Sequence, residues 1–215
     1  MPGSPIEIGG ATGRRGRYGV TAIVKIDGAL HLVTAGHNVG EGRPAVFLPG
    51  QRRPIARVTR NLLDGAPGQA IDGSVARLLQ PGLRLLERVR ADPRWTTHVA
   101  SPHPAHVDCP AFCWPTHGDR LPAFESTISS WCADEYRLLH GSASRLLIQL
   151  PRCTELGDSG TPLYVGRGER GDWQQLAYLG LCTGAVGRFS YFTPVELILK
   201  RLRAQLGGEV YLWTP

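Results

Sequence analysis

Apolar and β-branched positions gather in short runs, at 18–26, 30–34, 45–48, 74–79, 145–150 and 176–182. Asp27-Gly28, Pro49-Gly50, Asp64-Gly65, Pro67-Gly68 and a glycine-bearing stretch at 166–171 stand between them, the residue types that tight turns require. Many short strands at this spacing predict barrels or a sandwich rather than a parallel α/β sheet. The stretch 81–104 breaks the pattern, being rich in Leu and Arg and then in Pro, as a connection between two halves would be. A short helix is expected there at 83–89. At the C-terminal end Thr193, Pro194, Val195 and Glu196 combine a capping-box pattern with Pro at the first helical position. Val195, Ile198, Leu199, Leu202 and Leu206 then recur at helical spacing up to Gly207-Gly208, which predicts one amphipathic helix over about 194–206.

A chain of 215 residues suits one all-β unit or two small barrels, and 42% hydrophobic against 20% charged residues excludes disorder over most of its length. The formal charge of +6 permits contact with nucleic acid, but the basic residues cluster only at 14–17 and 200–203, without a nucleic-acid-binding motif. No nucleic-acid partner is expected. Only Lys25 and Lys200 are lysines; this Arg bias, with abundant Gly, Ala and Pro, suggests a GC-rich, bacterial genome. No apolar run approaches the roughly 18 residues of a membrane helix, so no membrane association is expected. Five cysteines make an odd number, ill suited to a complete disulfide framework, and a reducing cytoplasm is the expected location.

Acyl transfer by a serine needs a hydroxyl, an imidazole to take its proton, a carboxylate to orient the imidazole, and donors for the developing oxyanion. Ser159 stands in Gly157-Asp158-Ser159-Gly160, where the glycines let the backbone turn tightly and expose the hydroxyl. Gly157 offers no side chain to obstruct an amide, so the N–H groups of Gly157 and Ser159 are candidate oxyanion donors. His37 ends the run Val33-Thr34-Ala35-Gly36-His37 at a strand exit, the one histidine of seven in such a context.

These segments resemble the chymotrypsin-like serine protease family, in which His, Asp and Ser follow in that order along the chain. The resemblance spans about residues 18–206 in layout, with specific matches only in short segments. It implies two six-stranded antiparallel β-barrels with the catalytic cleft between them and a C-terminal helix. The corresponding division is 1–90 for the barrel carrying His and Asp, 91–110 for the connection and 111–215 for the barrel carrying Ser. It also implies a carboxylate before a short strand, which Ile71-Asp72-Gly73-Ser74-Val75 fits best, although the family places a bulkier apolar residue where Gly73 stands. Asp64 is the competing carboxylate, in a turn-forming sequence. By the same resemblance Cys153, Thr154, Cys182, Thr183 and Gly184 are placed at the substrate-binding pocket, and Cys153 at its base does not support a preference for Arg or Lys. Cys153 and Cys182 are read as buried thiols. Asp158 implies a cationic partner, either a freed amine at Ile6 or a guanidinium of Arg14, Arg15 or Arg17.

The expected function is a serine endopeptidase acting on protein or peptide substrates without a cofactor, with an activating or regulatory protein partner as a further possibility. The alternative is a catalytically silent protease-like domain that binds a protein. His98, His103, His106, Cys109, Cys113 and His117 would permit a stabilising zinc site, with His106, Cys109, Cys113 and His117 as ligands, but the spacing matches no standard finger and prolines interrupt it. The segment is therefore read as a connection, and no metal is assigned.

Overall fold

Asp27 and Gly28 hold positive φ angles of 46° and 80°, the geometry of a two-residue hairpin turn whose twist matches that of its strands. They join two strands whose register runs from Ile26↔Ala29 to Ala22↔Val33. The computed structural model describes residues 2–9, 15–39, 44–64, 70–90, 94–113, 124–133, 136–137, 143–144, 147–167 and 172–215. Their N-terminal elements are β1 (Pro5–Gly9), β2 (Arg15–Gly19), β3 (Ala22–Ile26), β4 (Ala29–Thr34), β5 (Ala45–Phe47), β6 (Ala56–Asn61), β7 (Ser74–Leu78) and α1 (Gln80–Leu86). There follow β8 (Pro110–Cys113), β9 (Phe124–Thr127), β10 (Ser130–Ala133), β11 (Tyr136–Arg137), β12 (Ala143–Ser144), β13 (Leu147–Pro151), β14 (Pro162–Arg167), β15 (Asp172–Val186), β16 (Phe189–Pro194), α2 (Val195–Leu206) and β17 (Val210–Leu212).

Two curled antiparallel sheets result, as the resemblance implies. The first runs β17-β3-β4-β7-β6-β5-β1-β2 and the second β10-β13-β16-β15-β14-β8-β9, so among the described residues they hold eight and seven strands rather than six each. Strands β11 and β12 pair separately. Sheet membership is not strictly sequential, because β17 returns from the far end of the chain to pair with β3.

Three apolar cores explain the continuous apolar runs. Ile23, Leu32 and Ala76 point into a core inside the first sheet, together with Ile6, Ile8 and Val46. Val24, Val33 and Val75, on the other face of the same strands, join Tyr164, Tyr178 and Leu181 of the second sheet and Ile198, Leu199 and Leu202 of α2. Strands β3, β4 and β7 are thus covered on both faces, which removes the apolar-polar alternation of a half-exposed strand. Ile148, Leu150, Leu163 and Leu179 fill the third core, inside the second sheet.

Helix α2 ends where expected, with Gly207 at φ 63° closing the last turn through its N–H to Arg203 O. Its start differs. Pro194 occupies the cap position, outside the helix, and no side chain caps the helix. The Thr193 hydroxyl is buried against Thr183 Oγ1 at 2.7 Å, so tertiary packing takes the group that the capping box would use. Helix α1 begins at Gln80 rather than at 83, since Pro81 lies in the first turn, where a missing N–H costs no hydrogen bond. No helix among the described residues is long and apolar enough to cross a membrane.

Because Leu202 is fully buried between the sheets, Leu202→Ala should lower unfolding stability by about 2–5 kcal/mol, read by urea denaturation. Lys200→Ala, on the exposed side of α2, should change it by less than about 0.5 kcal/mol.

Candidate active site

His37 lies in one 3-10 turn, Gly36–Asn38, at the exit of β4, and Asp72 lies just ahead of β7, the neighbour of β4 in the sheet. Antiparallel pairing sets the exit of one strand beside the entry of the other, which brings together residues 35 apart in sequence. Asn61 fixes this corner by donating from Nδ2 to Gly36 O at 3.1 Å while its Oδ1 accepts the Leu63 N–H at 3.2 Å. Ser74 Oγ donates to Ala35 O at 3.3 Å.

The Asp72 side chain is fully buried, and a carboxylate removed from water needs hydrogen bonds to offset its lost hydration. His37 supplies them: its backbone N–H donates to Asp72 Oδ1 at 2.9 Å, and Nδ1 lies 2.9 Å from Oδ2 and 3.1 Å from Oδ1. A carboxylate only accepts, so the ring proton sits on Nδ1 and Nε2 presents its lone pair. Nε2 is 3.0 Å from Ser159 Oγ, which donates to it. The imidazole keeps 16% of its surface exposed, enough to meet a ligand.

Ser159 comes from the second sheet's side and is held against the first. Gly19 N–H donates to Ser159 O at 2.8 Å, Thr21 Oγ1 donates to Gly160 O at 2.6 Å, and Thr34 Oγ1 donates to Gly19 O at 2.7 Å. Gly160 N–H reaches across its own sheet to Cys182 O at 2.8 Å. Gly160 holds φ 87°, and a Cβ there would run into Gly19 O and Thr34 Oγ1, so glycine is required both by conformation and by close approach. The Ser159 N–H has no acceptor among the described residues, and Gly157 holds φ 100° two residues earlier.

Gly73, where the family has a bulkier residue, has a structural reason. A Cβ there would lie 3.1 Å from Cδ1 and Cγ1 of Ile198, so the C-terminal helix fills the space beside Asp72. Asp64 is not a partner of His37. Its N–H bonds Asn61 O at 3.4 Å in the turn after β6.

The residues assigned to substrate binding fall into two groups. Thr154, Cys182 and Thr183 are buried, whereas Cys153 and Gly184 are partly exposed. Ser190, not anticipated from the sequence, organises them: its Oγ accepts the N–H groups of Cys153 and Thr154 at 3.0 and 3.1 Å and lies 2.8 Å from Thr154 Oγ1. The two hydroxyls thus share one hydrogen bond, and Ser190 Oγ ties the amides of Cys153 and Thr154 to β16. No local sequence signal marks Ser190, which lies inside β16 between two aromatic residues. Burial pushes the Cys153 thiol up to about 11 and raises that of Cys182 further. Both thiols are free.

Asp158 is buried, and its Oδ2 accepts the Glu155 N–H at 2.9 Å. Of the partners considered for it, Ile6 is buried in the first core within β1, and Arg17 is exposed on β2. Arg14 and the Arg15 side chain lie outside the described residues. In the Cys/His-rich segment, His103 Nδ1 accepts the Ala105 N–H, His106 Nδ1 accepts the His103 N–H, and Cys109 Sγ donates to Ala105 O. Cys113 is buried in the second sheet's core, and His117 lies outside the described residues. Among the described residues no three potential ligands converge on a metal site.

No family model matches the chain, and no curated protein matches it. Its fold is nevertheless that of bacterial chymotrypsin-like serine proteases. Thermobifida fusca Protease A is similar over 100% of this chain and 98% of its own, at 19% identity and a TM-score of 0.62. Nocardiopsis Protease is similar at 17% identity and a TM-score of 0.64, and Cellulomonas bogoriensis chymotrypsin at 20% and 0.63, each over 100% of this chain and 98% of its own. At these identities the likeness is one of fold.

The thiolate is the reactive form of cysteine, so a thiol held near 11 stays protonated and inert at neutral pH. Alkylation of Cys153 by iodoacetamide, followed by peptide mass spectrometry, should be slow at pH 8 and accelerate only above about pH 10. Reaction at pH 8 as fast as that of a free thiol of ordinary pKa, about 8.5, would contradict this account of its environment.

Proposed function

We propose that the chain is a serine endopeptidase acting on protein or peptide substrates through an acyl-enzyme at Ser159. The observation that carries this reading is the continuous line from Asp72 Oδ2 to His37 Nδ1 at 2.9 Å and from His37 Nε2 to Ser159 Oγ at 3.0 Å. As Ser159 Oγ bonds to the scissile carbonyl carbon, its proton passes to Nε2 and the carbonyl π pair moves onto oxygen. Asp72 accepts from Nδ1 throughout and stabilises the imidazolium. The N–H of Ser159, with that of Gly157, is assigned to the oxyanion. Collapse of the intermediate breaks the C–N bond, and the proton on Nε2 goes to the leaving amine. Water then attacks the acyl group with His37 again as base, which releases the carboxylic acid and restores Ser159.

The binding residues favour an uncharged substrate side chain. Cys153, Thr154, Cys182, Thr183, Gly184 and Ser190 carry no ionised group, and the hydroxyls of Ser190 and Thr154 are hydrogen-bonded to each other. A charged side chain placed among them would lose hydration without gaining a counter-charge. Activation through a freed Ile6 amine is disfavoured, because β1 would have to leave both β2 and β5. Free thiols at Cys109, Cys113, Cys153 and Cys182 fit a reducing compartment.

A fluorophosphonate probe should label the parent at Ser159, and Ser159→Ala and His37→Ala should abolish labelling. Asp72→Asn should lower the rate of peptide hydrolysis by a factor on the order of 10⁴, as in the known Ser-His-Asp triads, because an amide donor forces the ring proton onto Nε2. Asp64→Asn should leave it unchanged. An unlabelled parent, or loss of activity in Asp64→Asn and not in Asp72→Asn, would overturn the assignment. Across a peptide library varied at the residue before the cleaved bond, uncharged side chains should lead in kcat/KM; a lead by Arg, Lys, Asp or Glu would refute the pocket reading.

A further inference from the structure

A cleft of about 350 Å³ opens on the first sheet and is lined by Asp27, His31, Thr59, Arg60, Arg77 and Leu206 among others. His31 on β4 and Arg77 on β7 are register partners, so their side chains leave the sheet on the same face. Arg60 joins them through an irregularity in β6. Val58 pairs with Ala76 and Arg60 with Val75, leaving Thr59 as an extra residue. Without that bulge Arg60 would pair one residue further along and face away from Arg77; with it, Arg60 shares the face of Val75 and Arg77.

Neither guanidinium is committed elsewhere. Arg60 and Arg77 are exposed and have no ion-pair partner among the described residues. The Thr59 hydroxyl is already spent on Val75 O at 3.2 Å. His31 is buried, with 8% of its surface exposed, and its Nδ1 donates to Ala29 O at 3.2 Å, which leaves Nε2 as the ring's remaining polar atom. Asp27 is the one carboxylate in the lining, and Arg57 stands opposite Arg77 on β6 outside it, so positive charge prevails.

We propose that this cleft binds a phosphate group, carried on a small ligand or free, with Arg60 and Arg77 as its principal donors. Two guanidinium forks offer more donors than a two-oxygen carboxylate can use, whereas a phosphate presents oxygens to each, and His31 Nε2 adds a donor once the ring takes up a proton. The volume exceeds that of the ion itself and leaves room for a small organic group. Burial and the Arg77 charge lower the His31 pKa, opposed by the Ala29 carbonyl and by Asp27. A bound dianion favours the imidazolium and therefore shifts that titration upward. The site is separate from the proposed active site and does not depend on that reading.

The test is calorimetric titration of the full chain with inorganic phosphate and with ribose 5-phosphate, against sodium chloride of equal ionic strength. Saturable phosphate binding is expected, weakened at least tenfold in Arg60→Gln and in Arg77→Gln and unchanged in Arg84→Gln on α1. Tighter binding of the ester would identify an esterified ligand, and equal binding the free ion; both support the site. NMR titration should place the His31 transition at higher pH with phosphate bound. Heat no greater than that of chloride, or binding undiminished in Arg60→Gln and Arg77→Gln while both variants unfold like the parent, would overturn the proposal.

Discussion

The close crossing of Gly19 and Gly160 is the constraint on which the rest of the site depends. His37 and Asp72 belong to one sheet and Ser159 to the other side, so their mutual distances are set by how the two halves dock. At the crossing, Gly19 N–H holds Ser159 O, Thr21 holds Gly160 O, and Thr34 holds Gly19 O. Each such hydrogen bond is worth only about 0.5–1.5 kcal/mol net. Their importance is positional: an error of about 1 Å between reacting groups can cost roughly 100-fold in rate. Thr34 is three residues before His37, and Ser159 is next to Gly160, so the seam controls the placement of both side chains through very little intervening chain.

Docking alone would not suffice without a dry environment around Asp72. The apolar core shared by both sheets and α2 supplies it, with Ile198 filling the space beside Gly73. Removing water strengthens the interaction of Asp72 with His37 and raises the cost of losing it. The two hydrogen-bonding groups come from one residue, backbone N–H and ring Nδ1, so satisfying the carboxylate also fixes the ring's orientation. The helix thus contributes to the site through Gly73 rather than through the hydrogen-bonded line itself.

The sequence made legible what local chemistry encodes. Ser159 between glycines, His37 at a strand exit, Asp72 before an apolar strand and the apolar stripe of α2 all lie in short windows, and the fold brings the three polar groups together. Other features depend on partners distant in sequence. Ser190 matters because its hydroxyl meets amides about 36 residues away, and Thr193 is diverted from capping by Thr183. Strands β14 and β16 escaped the pattern because tyrosines, threonines and prolines interrupt their apolar runs, although most of their described residues are buried. The return of β17 to β3 left no local mark, since three residues carry too little periodicity to reveal a strand.

The β4–β7 pairing also shows how one ladder can serve two environments. At one end Thr34 pairs with Ser74, both fully buried, and the chain leads directly to His37 and Asp72. At the other end His31 pairs with Arg77, which is exposed. Charges at the dry end interact at low effective dielectric, so a single carboxylate is enough to orient a ring. Charges at the wet end are screened, and recognition there has to come from several donors acting together. The bulge at Thr59 supplies that multiplicity by turning Arg60 onto the face of Arg77. A single sheet therefore presents one tightly held carboxylate at one end and a loose cluster of cationic donors at the other, and the difference follows from burial rather than from residue charge alone.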